Sequence, residues 1–149
     1  MTKKSGLNEE LLNAIHKFTI TLRRKRMSAD VAFHEFVVLR SILKMQTEKN
    51  TSVYPSDLSH KLNLSRSYVT AVLNSLEDRK LIERTLDTDD RRRILVCITD
   101  KGLQIFEDMA KKELEQADML ISGLTDEKTL NLILLLNQAS EILEKEEDK

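Results

Sequence analysis

Five side chains in one short stretch are equipped to hydrogen-bond to the edges of nucleic-acid bases: Ser65, Arg66, Ser67, Thr70 and Asn74. On a helix, Ser67, Ala71, Asn74 and Asp78 share one side, with Arg66 and Thr70 flanking them, while Val69, Val72, Leu73 and Leu76 cluster opposite. Small hydroxyls, an amide and a guanidinium suit the donor and acceptor code of a major groove, whereas a merely solvated helix more often carries Lys and Glu there. A second set, Asp90, Arg91, Arg92 and Arg93, lies further along the chain. Arginine is the side chain best suited to a narrow, electronegative minor groove.

Catalytic chemistry has less to work with. The sequence has no glycine-rich phosphate loop, no clustered metal ligands and no nucleophile with a base, and the acidic pair Asp89-Asp90 sits in a solvated turn. His16, His34 and His60 are dispersed, with no His-x-x-x-His pair, so no metal site and no cofactor is expected. Cys97 is the only thiol; it reads as a structural strand residue, excludes an internal disulfide framework and suits a reducing cytoplasm. The expectation is a DNA-binding protein and not an enzyme.

The elements that must position these groups follow from periodicity. Leu11, Leu12, Ile15, Phe18 and Leu22 predict a helix from Asn8 to Met27 that ends in Arg23-Arg24-Lys25-Arg26. A second helix is predicted from Phe33 to Gln46, then a polar loop from Thr47 to Val53. Pro55 to Leu62 reads as a short helix with Pro at its first position. Asn63-Leu64 makes a tight turn, and Ser65 caps a helix running to about Arg79, without a Glu or Gln at position 68 to complete a capping box. Ser59 is small where the two helices cross. Leu81 to Leu86 and Ile94 to Ile98 read as strands joined by a polar tip. Thr99 caps a long helix from Asp100 to Ile121, Gly123 is read as its break, and Thr125 or Asp126 starts a last helix to Glu144. The run Glu144 to Asp148 reads as a solvated helix end.

Composition agrees with this helical reading. The 149 residues are 40% hydrophobic, with only three Gly and one Pro to interrupt helices. The net charge of −1 is unevenly spread, with +5 over residues 1–54, +1 over 55–101 and −7 over 102–149, so negative charge is kept away from the candidate binding region. No apolar run is long enough for a membrane span and no apolar leader is apparent, so a cytoplasmic protein with no membrane partner is expected.

The segments Ser56-Asp57-Leu58-Ser59, Leu62 to Thr70, Leu76 to Arg84, Asp87 to Arg93 and Ile98-Thr99-Asp100-Lys101-Gly102 together resemble the MarR family of bacterial regulators. The resemblance implies a mostly α, α+β winged helix: six helices and a two-stranded wing hairpin in a single domain. Residues 32–99 would be the winged helix-turn-helix, and residues 1–31 and 100–149 the dimerisation helices of an obligate dimer. It puts Ser65, Arg66, Ser67, Thr70 and Asn74 on the recognition helix. Ser56 and Tyr68 become phosphate contacts, Arg91 lies at the wing tip, and Arg92 resembles the family's minor-groove arginine, held by Asp90. Relatives usually have Ser or Thr where this chain has Tyr54-Pro55, which implies a weaker helix cap. The partners implied are double-stranded DNA, a second copy of the chain, and a small aromatic or amphipathic effector bound near Ile15, Thr19, Phe36, Arg40 and Phe106. The resulting function is a sequence-specific regulator, a repressor at a pseudo-palindromic operator released by its ligand. The competing reading is a winged-helix module for protein–protein contact, which would more often expose an apolar patch in place of the Ser/Thr/Asn face.

Overall fold

The computed structural model describes residues 2–26, 32–48 and 51–147. Six helices and one antiparallel hairpin follow in the order α1 (Thr2–Arg26), α2 (Phe33–Glu48), α3 (Pro55–Leu62), α4 (Arg66–Asp78), β1 (Ile82–Leu86), β2 (Ile94–Ile98), α5 (Asp100–Leu124) and α6 (Asp126–Glu147). Met27 and the rest of 27–31, residues 49–50 of the expected loop, and Asp148 of the acidic end lie outside the described residues. The chain divides into two compact units, residues 1–107 and 108–149.

Within the first unit the core is built where helical periodicity puts it. Val38, Leu39 and Ile42 of α2, Leu58 of α3, Val69, Leu73 and Leu76 of α4, and Leu81, Ile82 and Val96 around the hairpin are all buried. Each such aliphatic side chain contributes about 1.5–3 kcal/mol by leaving water. Phe36 stacks on Phe106 with ring centroids 5.1 Å apart, fixing the first turns of α5 against α2.

The α3–α4 turn is closed by its own polar groups. Asn63 takes the left-handed conformation (φ 50°), which Asn tolerates better than most residues, and its N–H bonds to the His60 carbonyl. The Ser59 hydroxyl, expected only to be small, donates to the Leu64 carbonyl at 2.6 Å. Ser65 caps α4, its Oγ accepting from the Tyr68 N–H at 3.2 Å. At α3 the anticipated weak cap is compensated: Asp57 Oδ2 accepts from the Tyr54 N–H at 3.0 Å, which satisfies a terminal donor and puts negative charge on the positive end of the helix.

Several boundaries differ from the sequence expectation: α1 begins at Thr2 where Asn8 was expected, α2 runs to Glu48 past Gln46, and α6 runs to Glu147 past Glu144. β1 begins at Ile82, because Leu81 turns its N–H to the Leu76 carbonyl and its own carbonyl to the Thr99 N–H. Helix α5 passes through Gly123 to Leu124. A glycine inside a helix costs only about 1 kcal/mol, too little to end one alone. The break comes at Thr125, whose φ of 76° no helix accepts.

The Thr99-x-x-Gly102 motif is a weld between the hairpin and α5. Thr99 Oγ1 donates to the Lys80 carbonyl at 2.7 Å and accepts from the Gly102 N–H at 3.0 Å. Lys101 Nζ donates to the Arg79 carbonyl at 3.0 Å. A Cβ on residue 102 would lie 2.0 Å from the Leu81 carbonyl oxygen, so only glycine permits this approach.

The buried carboxylate of Glu35 secures α4 from behind. Glu35, near the start of α2, accepts from Ser75 Oγ (2.7 Å), Arg79 Nη2 (2.5 Å) and the Ala32 N–H (3.0 Å). Burial by itself would raise its pKa, but the bonds from Ser75, Ala32 and Arg79 outweigh that and hold the carboxyl below the usual carboxylate range. The folded value is below the unfolded one. Glu35 therefore adds stability in full above the unfolded pKa and loses it as pH falls through the folded pKa. Glu35→Gln should cost about 1–3 kcal/mol at neutral pH. Denaturant titrations across the acid range should show a shallower decline of stability in the variant than in the wild type.

Candidate nucleic-acid interface

Helix α4 buries Val69, Val72, Leu73 and Leu76 and exposes the opposite side, as the helical wheel requires. Arg66, Ser67, Thr70 and Asn74 are exposed. Their side chains are not equivalent. Thr70 Oγ1 donates to the Arg66 carbonyl at 2.8 Å, which commits its proton and leaves the oxygen able only to accept. Ser65 and Ser67 hydroxyls lie 3.2 Å apart, with Ser65 already committed to the cap. Tyr68 is exposed with its ring 5.8 Å from that of His34, and Ser56 is exposed in the first turn of α3.

Asn74 is tied to the hairpin. Arg84 of β1 donates to Asn74 Oδ1 at 2.6 Å and to Glu77 Oε2 from both Nη2 (2.5 Å) and Nε (3.0 Å). That grip keeps the Glu77 carboxyl ionised to lower pH than usual, chiefly through the Arg84 hydrogen bond.

The hairpin pairs Ile82 with Ile98 and Leu86 with Ile94, so its tip projects between residues 87 and 93. The Asp87 N–H bonds to the Arg93 carbonyl, the Arg93 N–H to the Asp90 carbonyl, and the Asp89 N–H to Asp87 Oδ1. Asp90 Oδ1 accepts from the Arg92 N–H at 3.1 Å and lies 3.5 Å from Arg92 Nε. The guanidinium meets Asp90 through this one atom, and the Arg92 side chain is 94% exposed. Arg91 is exposed beside it. The arrangement presents a guanidinium to solvent with one carboxylate at its root.

Sequence reasoning missed the group that anchors this tip. Val96 N–H donates to the Val53 carbonyl at 2.9 Å, drawing the segment before α3 against β2. Tyr54, the next residue, donates its hydroxyl to Asp87 Oδ2 at 2.6 Å, and the Arg93 guanidinium lies over the Tyr54 ring at 3.4 Å. The Tyr54 hydrogen bond pulls Asp87 below its ordinary pKa and pushes the phenol above its own. The one signal in the sequence was an aromatic residue at a cap position where a small polar one was expected.

The residues expected to hold an effector differ in exposure. Phe36 is buried and stacks on Phe106, whereas Ile15, Thr19 and Arg40 are exposed. A cavity of about 260 Å³ lies elsewhere, lined by Gln46, Thr51, Ser52, Val53, Leu95 and Cys97. Among the described residues no three His, Cys, Asp or Glu side chains gather as a metal site would need. No described helix is long and apolar enough to cross a membrane.

A helix-turn-helix followed by a two-stranded hairpin defines a winged-helix protein. Comparison with known proteins narrows the class. The MarR family profile matches residues 34–94. The HTH-type transcriptional repressor MdtR of Bacillus subtilis is 32% identical over 105 residues, 68% of each chain. The HTH-type transcriptional regulator YpoP of the same organism is 26% identical over 130 residues, 87% of this chain and 89% of its own. A structure of the MepR–DNA complex from S. aureus superposes with a TM-score of 0.70 at 23% identity, over 89% of this chain and 95% of that one. The chain belongs to the MarR family of transcriptional regulators.

Tyr54→Phe keeps the ring under Arg93 and removes only the hydroxyl. Carboxyl-carbon NMR titration should then find Asp87 returned toward the ordinary carboxylate range, with a lower melting temperature for the protein.

Proposed function

We propose that the protein is a homodimeric transcriptional repressor that binds a pseudo-palindromic operator and is released by a small aromatic or amphipathic acid. The observation that carries the DNA-reading part is the pairing of a small polar face on α4 with a wing tip whose Arg92 is almost wholly exposed. In this reading Arg66, Ser67 and Thr70 reach base edges in the major groove. Ser56 and Tyr68 hold phosphates, and Arg92, steadied by Asp90 and flanked by Arg91, enters the minor groove. MepR is bound to DNA in its solved complex and MdtR carries the name of a repressor, which favours the same role here.

Dimerisation is supported by apolar surface that a single chain leaves uncovered. On α1, Leu11, Leu12, Ile15 and Phe18 are exposed; on α6, Leu130, Leu134, Leu135 and Leu143 are at least half exposed. Exposed apolar faces of this extent mark association surfaces, and a twofold partner would cover both kinds at once. Two recognition helices would then sit roughly 34–36 Å apart, one turn of the double helix. A regulator of this kind works in the cytoplasm, beside its DNA.

Release follows from spacing. A ligand that prefers one separation of the two winged regions shifts the population by its differential affinity, about 5.5 kcal/mol for a near-complete switch. Ile15, Thr19, Phe36, Arg40 and Phe106 are the residues assigned to it.

Selection of bound DNA from a random duplex pool should return an inverted repeat, bound by a species that sediments as a dimer. Arg92→Ala should weaken binding to the selected site at least tenfold and Asp90→Ala less, with affinity falling steeply as salt rises. A pool that yields no preferred sequence would instead favour a protein-interaction module. For the effector, a screen of aromatic and amphipathic acids should find a compound that lowers operator affinity and raises thermal stability together.

A further inference from the structure

Asn74 lies on the same stripe of α4 as Ser67 and Ala71, so it belongs to the surface that faces the groove, and this inference rests on that DNA-reading assignment. Its partner sets what it can offer. A guanidinium has donors and no acceptor, so the amide atom that meets Arg84 Nη2 at 2.6 Å has to be the carbonyl oxygen. The amide –NH2 is therefore turned the other way. Arg84 in turn has little freedom: Glu77 takes its Nη2 and Nε on one carboxylate oxygen, and the other oxygen accepts the Arg84 backbone N–H at 3.2 Å. Glu77 is three residues beyond Asn74 on α4, so the carboxylate and the amide rise from neighbouring points on the helix and the guanidinium bridges them.

We propose that Arg84 is a specificity-positioning residue: clamped by Glu77, it captures the Asn74 carbonyl oxygen and holds the amide –NH2 as a fixed hydrogen-bond donor toward one base of each half-site. A donor in that place accepts any base that shows an acceptor in the major groove, which means guanine, adenine or thymine. Cytosine presents only its own amino donor there and is rejected. An Asn without the clamp can rotate its amide and turn the oxygen to cytosine, losing the discrimination. Arg84 thus acts from the wing strand on a base it does not touch.

The test uses the full-length protein and the operator returned by random-pool selection. At the position where Asn74→Ala changes preference most, the four bases are compared in binding assays with the wild type, Asn74→Ala, Arg84→Lys and the double variant. Lysine keeps the positive charge beside Glu77 but has no second arm for Asn74. The wild type should disfavour cytosine by about three- to tenfold, the effect of one hydrogen bond. Arg84→Lys and Glu77→Gln should each bring that ratio to within twofold of unity while the salt dependence of Arg84→Lys stays as in the wild type. In the Asn74→Ala background Arg84→Lys should add no further change. Asn74 is exposed, so its variant keeps the fold, and thermal melting checks the others. Retained discrimination in Arg84→Lys, or an effect that adds in full to Asn74→Ala, would overturn the proposal. A site selected normally, with a preference that Asn74→Ala leaves untouched, overturns it while the DNA-reading assignment stands. Failure of the wild type to select any DNA overturns both.

Discussion

Glu35 is the point from which α4 is held against α2. Its carboxylate is buried, and a buried charge is tolerated only where every lone pair finds a donor. Here the donors come from the start of α2 and from Ser75 and Arg79 at the far end of α4. Helix α4 is therefore fixed at its C-terminal end by a charge and at its N-terminal end by the Ser65 cap, with the apolar stripe between. The exposed side of α4 adds nothing to the buried core, and apart from Asn74, which Arg84 holds, its Ser67 and Thr70 side chains bond only within the helix and its cap.

Polar anchoring is repeated around the wing, always by a residue outside it. Tyr54 reaches Asp87 from the N-cap of α3, and Glu77 reaches Arg84 from α4. A two-stranded hairpin is marginal in isolation, so these outside contacts set its direction as much as its own ladder does. The exposed Arg92 gains from this at second hand. Its own bond to Asp90 is weak and solvated, but the turn that carries both is pinned through Asp87 and Arg93.

The parts legible in the sequence were those with a period or a local signature. The stripe Val69, Val72, Leu73, Leu76, the Ser65 cap and the strand from Ile94 to Ile98 fell where they were read, because each depends on residues within a few positions of one another. The bonds of Glu35 to Arg79 and of Tyr54 to Asp87 span more than thirty residues and leave no periodic trace. Arg84 looked like one more charged residue on a strand. Gly123 was misread for the opposite reason: a residue that weakens a helix was taken as one that ends it, when the helix stops at the positive φ of Thr125. The choice among contacts on α4 was beyond composition alone, since Thr70 and Asn74 share a face and differ only in which neighbour occupies the side chain.

The weld at Gly102 has a mechanical consequence. With the Leu81 carbonyl seated against a bare Cα, and with Thr99 and Lys101 bonded to the backbone of residues 79 and 80, the first turn of α5 has no slack relative to the end of α4 and the root of the wing. These pieces turn as one rigid crank. A tilt imposed on the beginning of α5 would carry the end of α4 and the root of the hairpin with it.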